Sequence, residues 1–249
     1  KEGKGAGYAR NIGLSHARGK WIIFADADDF FTADCFTILN EYMDSPHKVI
    51  YFNVRFVMSD DPSQESRRGT YYTNFFNDVN PENKLRYQSQ VPWGKMIRRS
   101  FLSTFHIQFD ETRIANDVYF SCLVGIYAPK VTTDRRIIYY CTESDQSLAM
   151  SKQDRESLII RFNASMKCNR LLRQEKIHYY LSPLPWCIPS AKTKEWLPAK
   201  YFFEYLFFFR LQAFKELYYA FSAILSHMNE PATKETDNQC NKKTTNLKE

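Results

Sequence analysis

Glycine is scarce, eight in 249 residues, and proline adds only ten, so a collagen-like repeat or a linker-dominated chain is excluded. No two of the six cysteines (Cys35, Cys122, Cys141, Cys168, Cys187 and Cys240) stand in a C-x-x-C spacing, which argues against a zinc knuckle or redox dithiol. They read as small buried hydrophobes in a reducing compartment. No internal repeat is visible, and Lys1–Gly7 lacks the apolar core of a signal peptide. With no initiator Met, the sequence is expected to begin after processing or inside a longer reading frame. A net charge of +6 is too small to announce a nucleic-acid partner, and none is expected.

What is present is ordinary globular composition, 44% apolar and 25% charged, with a high aromatic share of 16%. Residues 5–19 carry Ala6, Ala9, Gly13 and Ala17 at helical spacing, and Gly19 is placed to stop that helix. The run Trp21-Ile22-Ile23-Phe24-Ala25 reads as a strand buried on both faces of a parallel sheet. A helix is expected from about Ala33 to Met43, a strand at 49–54, and a polar loop at 58–70. A further helix follows at about 117–126, then strands at about 131–133 and 136–141. The alternation indicates an α/β fold. Residues 152–176 form a long helix with a net charge of +4.

Chemistry concentrates at Asp26-Ala27-Asp28-Asp29, which follows the buried strand directly. In open α/β sheets ligands sit outside the carboxyl ends of strands, and carboxylates a residue apart suit a hard divalent cation that leaves positions open for phosphate oxygens. The plainer reading is a solvated turn in which Asp29 caps the next helix.

These residues lie within a larger pattern. Ala9-Arg10-Asn11-Ile12-Gly13-Leu14 and Ala17-Arg18-Gly19-Lys20-Trp21-Ile22-Ile23-Phe24-Ala25-Asp26-Ala27-Asp28-Asp29 resemble the core of family 2 glycosyltransferases, which have the nucleotide-sugar-binding GT-A fold. Trp93 to Leu102 resembles the family's segment lining the acceptor side, and Asn116-Asp117-Val118-Tyr119-Phe120 its Glu-Asp motif. The resemblance covers roughly residues 5–148. It implies a metal-dependent, inverting transfer from a nucleotide sugar, a uridine diphosphate sugar above all, to a hydroxyl of a saccharide or lipid-linked acceptor in bacterial surface polysaccharide synthesis. Asp26 and Asp28 would hold Mg²⁺ or Mn²⁺ on the diphosphate, and Asp117 would be the general base. Arg10 and Asn11 resemble nucleotide-side residues, Lys95 a diphosphate contact, and Trp93 a platform for a sugar face. Asn116 stands where the family has Glu, on the acceptor side, keeping hydrogen bonding and losing a charge. The family's first strand-helix-strand, with much of the base pocket, has no counterpart here, so the chain is expected to be an N-terminally incomplete catalytic domain. Two other readings stay open. A metal-dependent phosphatase or nucleotidyltransferase also uses paired aspartates after a strand, and an inactive remnant or peripheral membrane module would suit a shortened domain.

Three regions are expected: a GT-A-like catalytic domain over 1–150, a helical extension over 151–228, and a disordered polar tail over 229–249. Eleven aromatics fall between Tyr201 and Phe221, but Glu204, Arg210, Lys215 and Glu216 interrupt them. A spanning helix needs roughly 20 apolar residues in a row. Residues 199–228 therefore read as an interfacial helix, with Tyr201, Phe202, Phe208, Phe209 and their neighbours immersed and the basic helix 152–176 facing anionic headgroups, or as a helix packed on the domain. The expected location is the cytoplasm, at the inner face of the plasma membrane.

Overall fold

The computed structural model of the chain describes residues 5–66, 69–143, 154–187, 197–210 and 217–218. In order, these form α1 (Gly5–His16), β1 (Trp21–Ile23), β2 (Phe30–Phe31), α2 (Cys35–Asn40), β3 (Val49–Met58), α3 (Gly69–Phe76) and α4 (Pro81–Gln88). Then follow β4 (Lys95–Arg98), α5 (Arg99–Thr104), α6 (Asn116–Tyr127), β5 (Val131–Glu143), α7 (Arg155–Gln174), α8 (Leu184–Cys187) and α9 (Ala199–Phe209). The chain divides into two units, Lys1–Phe202 and Phe203–Glu249, and the whole sheet lies in the first. That division falls well after the boundary expected near residue 150. The polar tail expected at 229–249 and most of 210–228 lie outside the described residues.

The sheet runs β1-β4-β3-β5-β2 and is mixed. Only β3 and β5 are parallel, while β1/β4, β3/β4 and β2/β5 are antiparallel. The expected parallel setting of Trp21–Ala25 is therefore corrected: β1 is short, antiparallel and at the edge of the described sheet. Its apolar run reflects cover on two faces, which says nothing of strand direction; Leu14 and Ala17 pack with Trp21 and Ile23 against the core. β3 is buried almost throughout. The two strands expected at 131–133 and 136–141 are one strand, β5, with a register irregularity where Asp134 faces Phe52 and Ile137 faces Asn53. The helix expected at 33–43 shortens to Cys35–Asn40, and α1 ends at His16 without Gly19 as its cap. The expected loop at 58–70 is cut short at its end, where α3 begins at Gly69.

α7 packs on α6 through Val118, Cys122, Ala164, Cys168 and Leu172. Its start is capped by Asp154, which accepts from the Ser157 amide at 2.8 Å. Part of its positive charge is satisfied within the protein. Lys167 bonds Asp110 at 2.9 Å and lies 3.5 Å from the Tyr119 ring centre, and Arg161 lies over Trp186. In α9, Tyr201 packs edge-on against Phe162 of α7. Farther along, Tyr205 and Phe209 are buried while Phe203 and Phe207 are 66% and 80% exposed. Of the rings expected at a surface, Tyr201, Phe202 and Phe208 are half-buried and Phe209 is buried, while their neighbours Phe203 and Phe207 are exposed. Among the described residues no helix is long and apolar enough to cross a membrane, and the five described cysteines are free thiols.

Gly125 sits where α6 crosses α4, and a Cβ there would lie 1.7 Å from the Arg86 carbonyl oxygen. Gly13, on the outer side of α1, has nothing within 4 Å of the same position. Gly125→Ala is expected to cost about 3 kcal/mol through backbone overpacking. Gly13→Ala should gain about 0.5–1 kcal/mol by reducing the freedom of the unfolded chain. Denaturant unfolding midpoints of the two variants check the contrast.

Candidate active site

The site forms where the C-terminal end of β1, α1 and the first turn of α6 meet. Below it, Phe109 stacks on Phe120 at 3.9 Å, and Phe24 meets both edge-on at 5.0 and 5.3 Å. This three-ring packing joins the end of β1, the loop before α6, and α6 itself. α1 closes over it because Gly7 has no side chain: a Cβ there would lie 2.1 Å from the Asp110 carbonyl oxygen. Asn11 then clamps α1 to the loop, donating to the Phe109 carbonyl at 3.0 Å and accepting the Phe109 amide at 2.8 Å.

Arg10, one residue earlier, carries the central contact. One guanidinium nitrogen donates to Asn116 Oδ1 at 2.8 Å, another to Asp26 Oδ1 at 2.5 Å, and the group lies over the Phe109 ring. Three of the four motifs singled out in the sequence are thereby tied by a single side chain. Asn116 is buried and Asp117 is half-buried at the start of α6. The residue before them, Ala115, takes a left-handed backbone with φ of 52°, which turns the chain sharply into the helix. Burial pushes the Asp117 carboxyl above the usual carboxylate range. Its own amide, Arg10 and Lys95 pull it back, and Asp26 adds to the rise.

The acidic turn is pinned from β5. Tyr139 donates its hydroxyl hydrogen to Asp29 at 2.7 Å and accepts the Asp26 amide at 2.8 Å. Asp29 also accepts the Thr142 amide at 2.7 Å, and the Thr142 hydroxyl bonds the Asp28 carbonyl at 2.9 Å. Asp29 therefore does not cap the next helix. It anchors the turn to β5, after which the chain enters β2; burial raises its own carboxyl. Asp28 is left exposed, with no ion pair or hydrogen bond to its carboxylate among the described residues.

Of the expected site residues, Arg10, Asp26 and Asn116 converge, Asp117 follows Asn116, and Asp28 is exposed on the same turn as Asp26. Asn11 is spent on Phe109 and acts by holding α1. Trp93, expected as a sugar platform, is 7% exposed and packs among Phe56, Tyr72 and Tyr139. Lys95, expected on the diphosphate, has no exposed surface and donates to the carbonyls of Ser89 and Val91. Burial lowers its ammonium to about 7, with Asp117 opposing the fall. The sequence reading missed Tyr139 and Thr142, which lie more than a hundred residues from the turn they fix and carry no local signal.

Among the described residues no three carboxylate, His or Cys side chains form a metal cluster. Asp28 and the second oxygen of Asp26 offer two hard donors, which suits a cation whose remaining ligands come from phosphate and water. Asn11→Ala should cost about 1–3 kcal/mol in unfolding free energy by stranding the Phe109 amide and carbonyl, measured by denaturant titration.

Residues 1–105 match the family model of Glycosyl transferase family 2. The match includes Arg10, Asp26 and Asp28, while Asp117 lies beyond it. No curated protein matches the chain. Among solved structures, S. aureus TarS 1–349 in complex with UDP-GlcNAc is similar at a TM-score of 0.52 and 18% identity, over 74% of this chain and 50% of that one. The mannosyltransferase PcManGT from Pyrobaculum calidifontis, in complex with GDP-Man and Mn²⁺, overlaps 93% of this chain and 57% of its own at 14% identity and a TM-score of 0.45. The chain spans about half the length of the TarS 1–349 structures it matches. By the match over its first 105 residues and by its fold, the chain resembles the family 2 glycosyltransferases and is GT-A-like in architecture.

Proposed function

We propose that the chain is an inverting, metal-dependent glycosyltransferase that moves a sugar from a uridine diphosphate sugar to a hydroxyl acceptor. The observation that carries this reading is the Arg10 bridge between Asp26 and Asn116, which ties the acidic turn to the residue next to the half-buried Asp117. Binding of UDP-GlcNAc by TarS, a chain of similar fold, supports a nucleotide-sugar donor. Asp26 and Asp28 would hold Mg²⁺ or Mn²⁺, which when bound neutralises the diphosphate leaving group.

The acceptor oxygen attacks the anomeric carbon and its proton passes to the Asp117 carboxylate. The bond from that carbon to the diphosphate oxygen breaks, and its electron pair leaves with uridine diphosphate. Attack and departure on opposite faces give inversion. A carboxyl raised by burial is a better proton acceptor at neutral pH than an exposed one, provided it is ionised. The rate should therefore rise with pH through a midpoint above the ordinary carboxylate range.

The acceptor fits a saccharide or lipid-linked polymer of surface polysaccharide synthesis, delivered at the membrane. Phe203 and Phe207, one turn apart and exposed on α9, support a peripheral contact there. Regions 1–150, 151–228 and 229–249 then serve as catalytic domain, helical extension and tail.

Calorimetric titration with uridine diphosphate and Mn²⁺ should give binding to the native chain and none to Asp28→Ala; equal affinity would overturn the metal reading. Asp117→Asn should bind as the native chain does and transfer about 10²- to 10⁴-fold more slowly, losing the pH-dependent limb. Phe203→Glu together with Phe207→Glu should abolish flotation on anionic liposomes, and undiminished flotation would exclude these rings as the contact.

A further inference from the structure

Trp93 is turned into the core, yet another aromatic surface borders the acidic turn. Phe30, in β2, is 40% exposed and stacks on Tyr140 of β5, with ring centres 4.9 Å apart and planes 17° apart. The next pair, Phe31 and Tyr139, lies on the opposite face of the sheet and packs into the core. The register of β3 against β5 sets Arg55 beside Tyr140. Phe30, Tyr140 and Arg55 therefore form a row across three strands, roughly 10 Å long at ordinary strand spacing. Arg55 pairs with Glu65 at 3.1 Å, and both side chains reach solvent. The Tyr140 hydroxyl has no hydrogen bond among the described residues. Two residues farther along β5, on the same face, the Thr142 hydroxyl bonds the Asp28 carbonyl at 2.9 Å. The row thus continues directly from the turn that presents Asp28.

This surface joins flat apolar rings to a rim of hydroxyl, guanidinium and carboxylate. A pyranose has the matching character. The C–H bonds of one sugar face lie well on the negative face of an aromatic ring, and its hydroxyls both donate and accept. Arg55 can only donate and an ionised Glu65 can only accept, so the pair answers both roles of a sugar hydroxyl. A lipid surface would fit poorly, because it would bury this ion pair away from water to gain one exposed ring. We propose that Phe30, Tyr140, Arg55 and Glu65 form a saccharide subsite that takes a pyranose ring of the acceptor beyond the one that reacts. Among the described residues none of the four bonds Arg10, Asn116 or Asp117, so the subsite stands outside the reacting centre. Assigning the ring to the acceptor rests on the glycosyltransferase reading; the binding of a saccharide does not.

Saturation-transfer NMR of the full chain tests the subsite, with the methyl β-glycosides of glucose, galactose and N-acetylglucosamine titrated through the millimolar range. At least one glycoside should bind, with more saturation on its ring protons than on its methyl group. Phe30→Leu keeps apolar bulk without a π face and should weaken that glycoside about three- to tenfold. Arg55→Leu removes the donor and should weaken it by a similar factor. Phe30→Trp should bind at least as well as the native chain. Should Phe30→Leu fail to fold, Arg55→Leu decides alone. Binding of none of the three glycosides, or equal binding by the native chain and both leucine variants, would overturn the proposal. Uridine diphosphate with Mn²⁺ should bind Phe30→Leu as it binds the native chain. A loss there would assign the rings to the nucleotide and overturn the acceptor subsite. Glycoside binding without uridine diphosphate binding would leave the saccharide site standing and remove the transferase reading, and the reverse pattern would remove the subsite alone.

Discussion

The guanidinium of Arg10 sets the geometry of the site. It holds a carboxylate from the end of β1 and an amide from the first turn of α6, residues 90 positions apart in sequence, within one planar group. Charge-assisted bonds of this kind are roughly twice as strong as neutral ones and fix direction as well as distance. The rest of the local structure serves to bring that side chain to its place. Gly7 allows α1 to lie against the loop before α6, Asn11 fixes the helix rotation through the Phe109 backbone, and the Phe24, Phe109 and Phe120 rings give the guanidinium a flat apolar floor.

A second anchor acts from the opposite side. Tyr139 and Thr142 on β5 take the acidic turn by its backbone and by Asp29, so that two of its three carboxylates have fixed partners inside the protein. Asp28 alone is left to face outward. An acidic cluster in which every carboxylate were exposed would repel itself and wander. Here neighbouring charge is spent on structure, and the remaining carboxylate is presented on a turn held from both ends. The same division of labour explains why the turn runs into β2 and not directly into a helix: the β2 pairing with Tyr139 and Tyr140 carries the turn onto β5.

Elements governed by local pattern were legible in the sequence. The small-residue spacing of α1, the long amphipathic α7 and the start of α6 at Asn116–Asp117 emerge close to where they were expected, because helix periodicity and capping act over a few residues. The acidic turn and its convergence with Arg10 and Asn116 could be anticipated only through the resemblance, since no local rule links residues 10, 26 and 116. Strand direction, the edge position of β1 and the burial of Trp93 and Lys95 were not legible. A Trp and a Lys near a motif look like ligand contacts in one dimension. Whether they face a ligand or the core depends on the β3 and β5 side chains that cover them, and those come from distant segments.

Asn116 gains a physical account from this arrangement. It accepts one Arg10 nitrogen as a neutral amide, so Arg10 answers a single full negative charge, that of Asp26, through its direct bonds. A carboxylate at 116 would draw more of the guanidinium's charge to itself. It would also stand next to Asp117 as a second anion, and like charges in a sparsely solvated site raise one another's proton affinity. With an amide there, the positive charge of Arg10 remains available to Asp117, whose carboxyl is already pushed upward by burial and by Asp26. The amide at 116 thus lowers the cost of holding an ionised carboxylate at the half-buried start of α6.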